Sequence, residues 1–102
     1  MRYPIFDFDG DDLIVFNAPK EHWDFLESYD IGSSILFDSE GRRLKEVDAG
    51  NDRVRIEDFG EEPNPERLRV MLLSALRRRG MEFGDDISIG ALAAVAQREC
   101  GL

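Results

Sequence analysis

The chain has 102 residues, 42% of them hydrophobic and 34% charged, with a formal net charge of −9. Surface scaling for this mass leaves roughly 5,900 Å² exposed out of roughly 17,000 Å² unfolded, enough burial for one core, so residues 1–102 read as a single domain. This composition excludes a disordered tail, no run of about 18 apolar residues offers a membrane span, and the one cysteine, Cys100, cannot form an internal disulfide.

The opening segment Tyr3-Pro4-Ile5-Phe6-Asp7-Phe8 is aromatic and alternating, and Asp9-Gly10 separates it from Asp12-Leu13-Ile14-Val15-Phe16. Asp-Gly between two apolar runs predicts a hairpin with a type I′ turn, giving strands near 2–8 and 12–16. Asn17-Ala18-Pro19 opens a short helix, with Asn17 as its cap and Pro19 in its first turn. On that helix His22, Phe25, Leu26 and Tyr29 form one stripe, with Trp23 beside it, and Asp30-Ile31-Gly32 ends it.

Ser34–Asp38 and Arg42–Val47 flank Ser39-Glu40-Gly41, a second hairpin with glycine in its turn. Asp48–Asp52 is another turn, and the strand after it, Arg53–Phe59, points Val54, Ile56 and Phe59 toward a core. Glu61-Glu62-Pro63 marks a boundary. Asn64 then caps a helix with Pro65 at its first position, and Gly80 stops it. Leu68, Met71, Leu72, Ala75 and Leu76 make its apolar stripe, which Val70 and Leu73 widen. Ser88 caps a last helix whose Gly90, Ala91, Ala93, Ala94 and Ala96 permit close approach of a neighbour, a second copy of the chain included. Strands and helices in the order ββαβββαα predict an α+β fold, an antiparallel sheet of about five strands with helices packed on one face.

Charge is unevenly distributed. Residues 1–63 carry 17 Asp and Glu against 7 Lys and Arg, while residues 64–102 carry 5 against 6. An anionic surface of this kind repels phosphate backbones and disfavours nucleic acid, and it steers a basic protein partner. The contributing pool is Asp7, Asp9, Asp11, Asp12, Asp48, Asp52, Glu57, Asp58, Glu61 and Glu62.

Chemistry-bearing patterns are sparse. Phe6-Asp7-Phe8-Asp9-Gly10 resembles the first motif of the haloacid dehalogenase-like phosphatases, which implies Asp7 as nucleophile and Asp9 as acid/base, and Gly84-Asp85-Asp86 resembles that family's magnesium-binding motif. Asp11 departs from that pattern, no apolar strand precedes Gly84, and a parallel sheet needs crossover helices where this chain has hairpins. His22, the only histidine, has no nucleophile-elbow serine in the sequence to serve. One His and one Cys cannot make a zinc cage, and Asp7 to Asp12 lacks the glutamate that closes a calcium loop, so neither metal nor cofactor is expected. Met1-Arg2-Tyr3-Pro4 lacks the basic and apolar regions of a signal peptide, which with the lone thiol favours a cytoplasmic setting.

The segment Tyr29-Asp30-Ile31-Gly32-Ser33-Ser34-Ile35-Leu36-Phe37-Asp38-Ser39-Glu40-Gly41-Arg42-Arg43-Leu44 resembles the strand-turn-strand of small bacterial immunity proteins, which neutralise polymorphic or contact-dependent growth inhibition toxins. That resemblance implies a non-enzymatic inhibitor binding a cognate toxin domain, usually a basic nuclease. Carboxylates at turns and strand ends would then pair with the toxin's Lys and Arg side chains.

Overall fold

The computed structural model describes residues 1–26 and 31–102. Its elements are β1 (Ile5–Asp9), β2 (Asp12–Phe16), α1 (Pro19–Phe25), β3 (Ile35–Phe37), β4 (Arg43–Gly50), β5 (Arg53–Asp58), α2 (Pro65–Arg78) and α3 (Ile89–Cys100). The expected order ββαβββαα is found, and the strands form one antiparallel sheet in the order β2-β1-β3-β4-β5. Total accessible surface is 5736 Å², close to the value scaled from mass. Among the described residues no helix is long and apolar enough to cross a membrane.

Helices cover both faces of the sheet rather than one. Phe6, Phe8, Leu13, Val15 and Phe37 point to the first face and pack under α2 and α3 through Leu68, Leu72, Leu76, Leu92 and Ala96. Ile5, Phe16, Leu36, Leu44, Val54 and Ile56 form a second core on the opposite face with Leu26. There α1 runs diagonally, touching β2 at one edge and β5 at the other. The physical reason is visible in β2: Leu13-Ile14-Val15-Phe16 is a continuous apolar run, and such a strand has two faces to bury.

The turns follow from register. Pairing Phe6 with Val15 and Phe8 with Leu13 puts apolar residues opposite one another and leaves Gly10-Asp11 as the two-residue loop. Only Gly10 has positive φ there (+59°), the pattern of a type II′ turn; the expected Asp9-Gly10 centre is displaced by one residue. The type I′ turn lies instead at Asn51-Asp52, with φ of +54° and +60°. Accordingly β4 runs three residues past Val47, through a bulge between Asp48 and Gly50.

Both long helices begin as expected. Asn64 Oδ1 accepts from the Arg67 amide at 3.1 Å, and Ser88 Oγ accepts from the Ala91 amide at 3.1 Å. Gly80 (φ +89°) ends the α2 segment. Val70, expected in the stripe, is 53% exposed. The cap of α1 is Ala18, with no side-chain bond; Asn17 instead accepts from Gln97 Nε2 and ties β2's end to α3. Phe59 is exposed, because Val54, Ile56 and Asp58 share one side of β5 and Phe59 falls on the other. Tyr29 and Asp30, expected on the α1 stripe and at its end, lie outside the described residues.

Candidate functional site

Antiparallel pairing brings two turns to one end of the sheet. The β1–β2 and β4–β5 turns both lie where β1 and β4 finish, and the diagonal course of α1 brings its C-terminal residues there as well. Asp9 and Asp12 form the last rung of the β1–β2 ladder, opposite one another on the α1 face. Like charges directly opposite across a ladder destabilise a sheet. Asp7, two residues back on the same face, is 2% exposed. A cavity of about 310 Å³ is lined by Asp7, Asp9, Asp12, Ile14, Phe25, Leu26, Ser33 and Ser34.

A second hollow, about 270 Å³, is lined by Asp24, Asn51, Asp52 and Arg53 on the other side of the helix end. Asp24 pairs with Lys20 at 2.6 Å, one turn back, and that hydrogen bond holds its carboxyl below the usual range. Arg53 donates to the Trp23 carbonyl at 3.1 Å and its guanidinium stands 5.7 Å from the centre of the Trp23 ring. Asp48 sits just below the turn, where its Oδ1 accepts from the Gly50 amide at 2.8 Å.

Between the two hollows the surface is aromatic. Trp23 is 40% exposed and Phe25 45%, and Ile31 follows at 37%. The sequence places Phe25 on the buried stripe, but α1 is only seven residues long and anchors through His22 and Leu26, one turn apart. Phe25 meets the core through its tilt against Phe16, with ring centres 5.7 Å apart.

The ten carboxylates of the expected pool therefore divide. Asp7, Asp9, Asp12, Asp48 and Asp52 belong to this end. Asp11 is at the same end but bridges to Arg78 of α2 at 3.5 Å. Glu57 is tied to Arg55 at 2.7 Å on the α2 side of β5. Asp58 caps the Gly60 amide and lies 3.7 Å from Arg42. With Glu61 and Glu62, Asp58 sits at the far end of the sheet, beside the β3–β4 turn. Asp24, Trp23 and Phe25 join this end from α1, outside the pool of ten carboxylates. The signal for Trp23 was its place off the apolar stripe; for the others, only the length of α1 decides.

The remaining motifs are separated. Gly84-Asp85-Asp86 lies against α2, with Asp85 held by Arg77 at 2.8 Å and by it below the usual carboxylate range. Asp7 and Asp9 are on the other face of the sheet, so the fold does not bring those two acidic motifs together. Among the described residues no group of three or more His, Cys, Asp or Glu could hold a metal ion. His22 is buried, with Nε2 2.8 Å from the Tyr3 hydroxyl. The small-residue helix α3 turns Leu92, Ala96 and Cys100 inward, onto this chain's own core. Its neighbour α2 spends Arg69 and Arg77 on the backbone of the 80–87 connection, and Arg79 just beyond its end reaches the Leu13 carbonyl of β2.

No protein-family model matches the chain, and no curated protein or solved structure shows significant similarity to it.

Proposed function

We propose that the protein is a non-enzymatic binding module that presents the acidic, aromatic end of its sheet to a cationic protein partner. The closest functional analogy is an immunity protein that occludes a basic, nuclease-type toxin domain in the cytoplasm. The observation that carries this reading is the Asp9–Asp12 rung beside exposed Trp23 and Phe25. A like-charge pair that weakens the fold, next to rings left outside the core, is the composition of an interface centre. Aromatic anchors supply most of the binding energy in such centres, while surrounding carboxylates supply register, rate and charge-assisted bonds to Lys and Arg.

The test titrates the chain with a basic, nuclease-type toxin domain at low and high salt. Raising the salt should weaken binding at least tenfold, because exposed charges separated by more than about 8 Å are screened at physiological ionic strength. Trp23→Ala should cost about 2 kcal/mol, roughly 30-fold in Kd. Asp9→Asn with Asp12→Asn should mainly slow association. Glu61→Gln with Glu62→Gln, at the opposite end, should change neither. Salt-independent binding, or equal sensitivity at both ends, would refute the assignment.

A further inference from the structure

The helix that carries Trp23 and Phe25 cannot hold itself. Seven residues are well below the length at which an isolated helix persists in water, so α1 exists only while it is docked. Its docking depends on two buried residues, His22 and Leu26. His22 is 6% exposed, stacked on Tyr3 with ring centres 6.0 Å apart and edge-on to Phe16 at 5.9 Å. Nε2 meets the Tyr3 hydroxyl, and Nδ1 is buried with no hydrogen-bond partner among the described residues. We propose that α1 is a pH-sensitive latch: protonation of His22 releases it from the second face of the sheet.

An imidazolium donates through both nitrogens, and among the described residues the ring's one hydrogen-bond partner is the Tyr3 oxygen. Burial also opposes the charge, lowering the affinity of docked His22 for a proton and keeping the Tyr3 phenol protonated. Several charged groups on the elements packed around α1 have partners other than the ring. Arg53 of β5 bonds to the Trp23 carbonyl, Lys20 pairs with Asp24, and Glu21 accepts from the Asn17 amide. On this face of the sheet Asp58 is taken by Arg42 and Gly60, while Asp7 and Asp12 line the cavity beyond Phe25. On β4, Asp48 accepts from Gly50, and Glu46 is half-buried. None of them bonds to the ring.

The sign follows. Released His22 takes up a proton near its ordinary value of about 6.5, and docked His22 only at lower pH. Docking is therefore fully favoured above that value and weakens as pH falls below it. The latch itself stands on the geometry of α1; its consequence, loss of partner binding at mildly acid pH, rests on the function proposed above.

The full chain carries its own reporters, one tryptophan and one histidine. Trp23 emission and the His22 imidazole proton resonance are followed without partner from pH 8 to 5, with circular dichroism monitoring the sheet. The two signals should move together with a midpoint below 6.5 while the sheet signal persists. His22→Phe, which keeps the ring stack, and His22→Gln, which keeps a bond to Tyr3, should each abolish the emission change. A flat emission profile in the native chain, an unchanged transition in either folded variant, or loss of the sheet signal alongside it would overturn the latch. These readouts contain no partner, so a failed toxin titration leaves them unaffected, and a failed latch leaves the salt dependence of binding intact.

Discussion

Gly41 makes a quantitative test of how the sheet seats on α2. It lies buried in the β3–β4 turn with φ +80°, and its carbonyl accepts from the Asn64 amide at 2.8 Å. A Cβ placed there would stand 2.6 Å from Pro65 N and 2.7 Å from the Asn64 carbonyl carbon and oxygen. All three are backbone atoms at the start of a helix, so no side chain can rotate aside. Gly41→Ala incurs about 1 kcal/mol for a left-handed alanine and about 2 kcal/mol more for the forced separation of turn and helix. Gly50 isolates the first contribution: its φ is +84°, and nothing lies within 4 Å of the added atom. Urea unfolding followed by circular dichroism should show Gly41→Ala losing about 3 kcal/mol, a midpoint shift of about 2 M at a slope near 1.5 kcal/mol per M. Gly50→Ala should lose about 1 kcal/mol. Equal losses in the two variants, within about 0.5 kcal/mol, would refute the close-approach argument.

Asp38, 1% exposed, accepts backbone amides from Arg2, Glu40 and Arg42 at 2.9–3.1 Å. Asp38→Ala leaves three part-buried amide donors without their acceptor and should cost about 2 kcal/mol in the same urea assay, whereas Asp38→Asn, which keeps an acceptor for Glu40 and Arg42, should cost less than half as much. Cys100 is 7% exposed, and burial raises its thiol pKa despite the opposing pull of Arg79. Because the thiolate is the reactive species, a disulfide reagent at pH 8 should modify Cys100 at least tenfold more slowly than free cysteine and at the free rate in urea; a native rate within about twofold of free cysteine contradicts the packing of α3.

Features decided within a few residues were legible in the chain. Asn64-Pro65 and Ser88 start helices because an Asn or Ser oxygen satisfies an amide three residues on. Gly41 and Gly80 turn the chain because each holds a positive φ. The order of strands and helices along the chain followed from the same short-range chemistry. What escaped was set by length and parity. The apolar run of β2 serves two cores, so α1 crosses to the face opposite α2 and α3. Phe59 falls outside because one residue of register changes the face of a side chain. The hairpin turn slid from Asp9-Gly10 to Gly10-Asp11 because apolar cross-strand pairs outweighed the local preference of the dipeptide. Composition identified the acidic half of the chain, but only the pairing order separates Asp9, Asp12 and Asp52 from Asp58, Glu61 and Glu62 at opposite ends of the sheet.

Two departures from self-consistent design coincide at that one end, and their coincidence is the argument for function. Opposing Asp9 to Asp12 forgoes roughly 0.5 kcal/mol of cross-strand stabilisation. Ending α1 at Phe25 leaves two aromatic rings half in water, forgoing roughly 1–2 kcal/mol of burial each. Against a total stability of about 5–15 kcal/mol for a domain, that is a considerable concession in one small area. Away from that end Glu57, Asp58 and Asp85 find arginines, Asp11 at its margin finds Arg78, and Arg69, Arg77 and Arg79 find carbonyls. A fold that neutralises its charges in several places, and leaves a like-charged rung beside exposed Trp23 and Phe25, is the ground on which the proposal of a cationic partner rests.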